Sequence, residues 1–90
     1  MSKAHVDPAE LRRFANDLKR FTTDLEGLMG QLHSRMANLE STWRDQEHRK
    51  FAEAFTQTTK SLATFVEAAS EHANFLNKKA NLVEMYLRQR

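Results

Sequence analysis

Four histidines and five serines are the side chains that could carry catalysis or metal binding here, and neither set is spaced for it. Ser2, Ser34, Ser41, Ser61 and Ser70 lie in no strand-turn-helix nucleophile elbow, and no glycine-rich loop is present to cradle a phosphate. His5, His33, His48 and His72 are scattered. Glu47-His48 and Glu71-His72 lack the second histidine four residues on that would put two imidazoles on one helical face around zinc. With no cysteine, thiolate metal sites and disulfides are excluded as well. The expectation is a protein that is not an enzyme, with no catalytic residue, no cofactor and no metal.

The residues suited to recognition lie together instead. Glu40-Ser-Thr-Trp-Arg-Asp-Gln46 carries the only tryptophan, almost midway between two long runs of helical pattern. Trp43 either packs over the helix ends as a staple or stands out as an anchor for a partner, since tryptophan is enriched at interface hot spots. The Glu47-His48-Arg49-Lys50 cluster that follows reads as the solvated first turn of a helix.

Two helices must hold this turn. Asp7-Pro8-Ala9-Glu10 is a helix start, with Asp7 as N-cap, Pro8 at the first helical position and Glu10 at capping-box spacing. Met1 to Val6 show no period and are expected to fray. From there Leu11, Phe14, Leu18, Phe21, Leu25, Leu28, Leu32 and Leu39 fall at alternating steps of three and four, broken only by Arg35, with Met29 and Met36 on the neighbouring row. Gly27 and Gly30 lie away from this seam. After the turn, with Thr42 or Asp45 as N-cap, Phe51, Phe55, Leu62, Phe65, Val66, Ala69, Ala73, Leu76, Ala80, Val83 and Leu87 recur at helical spacing, and no glycine or proline interrupts the run. The pattern predicts a single helical-hairpin domain over 1–90: helix about 8–40, turn about 41–45, helix about 46–88. So short a connection requires the helices to lie antiparallel.

Ala54, Ala68, Phe75 and Leu82 fall one row from the second seam, so its apolar surface is wider than one neighbouring helix covers. A partner is therefore expected, and pairing of two hairpins into a four-helix bundle is the simplest arrangement. Arg35 and His72 are the polar members of the two seams. Each either sets the register of pairing or reaches the seam's edge to solvent.

Charge and composition narrow the partner. The chain has 90 residues, 29% of them charged, and a net charge of +2 spread along both halves. Lys78, Lys79, Arg88 and Arg90 gather toward the C-terminus, where the helix dipole favours them. They are few, and no aromatic platform accompanies them, so neither nucleic acid nor an anionic membrane surface is the expected partner. No apolar run approaches the 18 or so residues of a membrane span, and the first residues lack the apolar centre of a conventional signal peptide.

Trp43 on the turn, the position two later at Asp45, and Phe51 eight residues after the tryptophan, in a hairpin of under a hundred residues, resemble the WXG family. These are small Trp-x-Gly proteins exported by type VII (Esx-type) secretion systems, and the likeness covers essentially the whole chain. The resemblance implies an antiparallel hairpin that pairs, as a homodimer or as a heterodimer with a related small helical protein, into a four-helix bundle. It also implies export without a conventional signal peptide, with a secretion ATPase as a further partner and the Trp43 turn as the recognition element. The chain departs from the pattern at Asp45, which replaces the motif glycine. The family's C-terminal signal is a tyrosine followed four residues later by an acid. Tyr86 matches the tyrosine, but the fourth residue on is Arg90. A related apolar-acidic-apolar pattern is met in part by Ala80, Glu84 and Leu87. Two alternatives stand beside this reading: an intracellular helical adaptor or structural coiled-coil module located in the cytoplasm, which shares every periodicity, and a hairpin that binds an anionic surface weakly through its basic C-terminal end.

Overall fold

The computed structural model describes residues 6–89; the fraying expected of Met1 to His5, and Arg90, lie outside them. Helix α1 spans Pro8–Glu40 and helix α2 spans Gln46–Arg88. The two lie side by side as an antiparallel hairpin 68 Å long and only 20 × 15 Å across.

Local signals set the ends. The Asp7 carboxylate accepts a hydrogen bond from the Ala9 amide at 2.9 Å, and Pro8 supplies a first-turn position whose missing N–H costs nothing. Glu10 pairs with Arg13 one turn along, at 2.9 Å. At the other end, α1's last carbonyls are taken up by the turn: the amides of Thr42 and Trp43 donate to Leu39 O at 3.1 and 3.0 Å, and Arg44 Nε donates to Glu40 O at 3.3 Å. Asp45 then caps α2, its carboxylate accepting from the His48 amide at 3.0 Å. Of the two expected N-caps, Asp45 is therefore the one used.

The interior is built from small side chains. The buried apolar residues are Ala15, Ala69, Ala73 and Ala80, joined by Thr22, Thr59 and His48. Each buried threonine satisfies its hydroxyl by donating to a carbonyl of the preceding turn, Thr22 to Lys19 O and Thr59 to Thr56 O, both at 2.9 Å. On α2 the facing row runs His48, Ala52, Phe55, Thr59, Leu62, Val66, Ala69, Ala73, Leu76, Ala80 and Val83, all buried or half-buried. Its unbroken steps of four and three are those of a seam between two helices.

On α1 the expected single seam resolves into three rows. Ala15, Thr22, Met29 and Met36, seven apart, face α2; Leu11, Leu18 and Leu25 lie at the border, half-buried. Phe14, Phe21 and Leu28 form the outer row, 59%, 53% and 56% exposed, and Leu32 and Leu39 are exposed with them. The larger side chains of the α1 seam are thus at the border or on the outside of the hairpin, and apart from His48 the buried positions are held by alanine and threonine. Neither glycine contributes to this approach: a Cβ added at Gly27 or Gly30 would meet nothing.

At the open end, Arg12 ties the helices together. Its guanidinium donates to Asn81 Oδ1 and Glu84 Oε1, both at 2.6 Å. The Arg12 hydrogen bond holds the Glu84 carboxyl below its ordinary value of 4.5 against the opposing effect of desolvation, with the charges of Arg12 and Arg88 adding to it.

Candidate docking surface

Two features are left over once the hairpin has closed: an aromatic cluster at the turn and an uncovered apolar side.

The cluster is built around Trp43. Its ring lies 5.7 Å from Phe51 and 5.1 Å edge-on from His48, and Phe51 stacks on Phe55 at 6.1 Å. His33 of α1 closes the series against Phe55 at 5.8 Å. Half-buried Trp43 therefore packs on the first turns of α2 as a staple and keeps part of the indole on the surface. His48 does not belong to a solvated charged turn. It is 8% exposed, held beneath Trp43 with the Glu40 carboxylate 4.0 Å from its Nε2, and among the described residues that nitrogen has no hydrogen-bond partner. Its neighbours Glu47, Arg49 and Lys50 are exposed.

Asp45 shows how the chain dispenses with a glycine here. Its φ of −103° and ψ of −175° are extended backbone open to any residue, and the position calls for a side chain that can cap α2. An aspartate meets that need better than a glycine.

The uncovered side carries Phe14, Phe21, Leu28, Leu32 and Leu39 from α1 and Phe51, Phe65, Phe75, Leu82 and Tyr86 from α2, all exposed. Phe21 and Phe65 meet edge-to-face across the helices at 6.0 Å, which makes the two helices' outer rows one continuous face. His72 and Arg35 are exposed on the same heptad rows as Phe65 and Phe21. Of the possible C-terminal signal residues, Tyr86 and Leu87 are exposed, while Glu84 is engaged by Arg12. Leu62, Leu76 and Val83 are half-buried and face α1. Among the described residues no group of acidic or histidine side chains could hold a metal ion, and no helix is long and apolar enough to cross a membrane.

A two-helix rod with an alanine interior, an apolar flank and a tryptophan staple defines a class of small hairpin whose hydrophobic surface is displayed rather than enclosed. The family model described as proteins of 100 residues with WXG matches residues 3–86, and the chain belongs to this WXG100 family. Among solved structures it is similar to the secreted protein EsxB from Bacillus anthracis str. Sterne. The wild-type protein superposes with a TM-score of 0.77 at 21% identity, over 90% of this chain and 93% of that one. A single-residue variant of EsxB gives 0.80 at 20% identity, over 93% and 97%. No curated protein matches significantly.

Proposed function

We propose that the chain is a non-catalytic pairing module, exported as a substrate or substrate partner of a type VII (Esx-like) secretion system. Its apolar side would be covered by a second small hairpin to make a four-helix bundle. The observation that carries this reading is the surface the chain leaves open. A compact monomer of 10.5 kDa exposes about 5,400 Å². This one exposes 7183 Å², an excess of about 1,800 Å². A stable interface of ordinary size takes about 800 Å² from each partner, so a full interface can form within the excess.

Membership of the WXG100 family and the likeness to a secreted protein support the export half of the proposal. In this reading Trp43, with Asp45 and Phe51 fixing its pose, is the element the export machinery reads, and a secretion ATPase is the candidate reader. Tyr86 and Leu87 lie at the far end of the rod and would contribute the C-terminal part of the signal. The test is export from a host carrying the secretion system, compared between the wild-type chain and Trp43→Ala, with far-UV circular dichroism to show that both fold. Loss of the variant from the medium at unchanged helicity is the expected result. Equal export of the two ends the recognition role of Trp43.

A further inference from the structure

Beneath the tryptophan, the turn holds a titratable group with an unused bonding position. His48, in the first turn of α2, is 8% exposed, and among the described residues its Nε2 has no hydrogen-bond partner. One acid stands close by. Glu40, the last residue of α1, holds a carboxylate oxygen 4.0 Å from that nitrogen, beyond hydrogen-bond distance, on a side chain that is half exposed.

The other charges around the ring come from three elements. On the turn, Arg44 Nε donates to Glu40 O, and the Asp45 carboxylate accepts from the His48 amide. On α2, Glu47, Arg49 and Lys50 are exposed. On α1, His33 is separated from this group by Phe55, which it meets at 5.8 Å. Among the described residues Glu40 is therefore the carboxylate within 4.0 Å of the imidazole.

A proton on His48 changes what this arrangement can do. Both nitrogens of an imidazolium are donors, so Nε2 then presents an N–H and a positive charge toward Glu40. A charge-assisted bond forms at about 2.8 Å, which asks the carboxylate to move by about 1 Å. Glu40 borders a hollow between the helices with Met36, Ala52 and Phe55, so it has room to make that move. The bond would join the last residue of α1 to the first turn of α2, across the whole connection. Trp43 rests on the same imidazole, ring centre to ring centre 5.1 Å, and a cation at that distance is attracted by the indole.

We infer that His48 is a proton-operated clasp on the hairpin turn: protonated, it binds the Glu40 carboxylate and holds Trp43 against α2, and neutral, it lets both go. The clasp's contribution is present while the imidazole is charged and is lost as pH rises through the range in which histidine deprotonates. Resting on the reading that Trp43 is the element a partner recognises, acid withholds the indole and neutral pH offers it.

Thermal unfolding of the full chain at one concentration, with amide hydrogen exchange by NMR, tests the clasp at pH 5 and pH 8. At pH 5 the wild type is expected to melt about 4 °C or more above Glu40→Gln, and at pH 8 the gap is expected to close. Protection of the Trp43 and His48 amides, corrected for the intrinsic rate, is expected to rise about tenfold in acid in the wild type and in neither Glu40→Gln nor His48→Leu. In a His48→Leu background, Glu40→Gln is expected to open no gap at either pH. His33→Gln is expected to keep the wild-type response, which assigns it to His48. The Arg12–Glu84 pair does not interfere, because that carboxyl is held below 4.5 and stays ionised at both pH values.

A gap of equal size at both pH values, a gap that persists without His48, or a wild type that melts below Glu40→Gln at pH 5 overturns the clasp. These measurements read the turn alone, so they fail separately from the recognition role. A flat pH response removes the clasp and leaves that role standing, whereas equal export of Trp43→Ala removes the role and leaves the clasp.

Discussion

Phe21→Ala separates what the outer face does within one hairpin from what it does between two. Phe21 is 53% exposed, and its ring meets that of Phe65 across the helices at 6.0 Å. Within the protomer, the substitution removes an edge-to-face pair worth about 1 kcal/mol and part of an already half-open side chain. Between protomers the loss is larger. A phenylalanine presents about 200 Å², so about half of that, about 100 Å², is left for a partner to cover. At about 25 cal/mol per Å² this is about 2.5 kcal/mol per copy, or about 5 kcal/mol for a symmetric pair. The alanine retains some of this contact, and the net expectation is a dimer dissociation constant raised about a thousandfold. Sedimentation equilibrium over a wide concentration range reads the constant, and urea unfolding of the dilute chain reads the protomer. A constant changed by less than about tenfold would refute the placement of Phe21 in the interface. A protomer loss above about 3 kcal/mol would show that the side chain works mainly inside the hairpin.

Three further expectations follow from the ends of the rod. Because Arg12 lowers the Glu84 carboxyl, the clasp's contribution is present above the ordinary value of 4.5 and disappears as pH falls through the lowered one. Glu84→Gln should therefore flatten the acid limb of thermal stability below that pH while leaving neutral-pH helicity in place. Asp45→Ala should cost about 1 kcal/mol through loss of the α2 cap, and Asp45→Gly only a few tenths, both measured by urea unfolding. His48→Leu should be stabilising by about 1 kcal/mol in the same assay, since it removes a buried nitrogen without a hydrogen-bond partner and loses only an edge contact with Trp43 and the 4.0 Å approach of the Glu40 carboxylate.

The helix starts were legible because they rest on local chemistry: Asp7 before Pro8 can do little but begin a helix, and Asp45 caps through its own side chain. The antiparallel hairpin followed from the shortness of the turn. What periodicity could not give was the side of each helix that faces its neighbour. On α1 the inner row of Ala15, Thr22, Met29 and Met36 and the outer row of Phe14, Phe21 and Leu28 have the same period, and hydrophobicity favours the wrong one. The usable signal was size. Ala15, Thr22, Ala69, Ala73 and Ala80 mark where two backbones can come close, while bulky residues on an adjacent row need another surface. His48 was hidden by its charged neighbours, although it stands four residues before Ala52 and seven before Phe55, on the row that faces α1. The glycine missing at position 45 carries no penalty, because the backbone there is extended.

The slimness of the rod bears on how it could travel. A protomer of 20 × 15 Å in section, stacked with a second, gives a bundle about 20 × 30 Å across and still about 68 Å long. A conduit of that bore would pass the folded pair lengthwise, whereas broadside passage would require an opening more than twice as wide. Orientation at the entrance would then govern transit, and the Trp43 turn, which forms one tip of the hairpin, distinguishes the two ends of the rod.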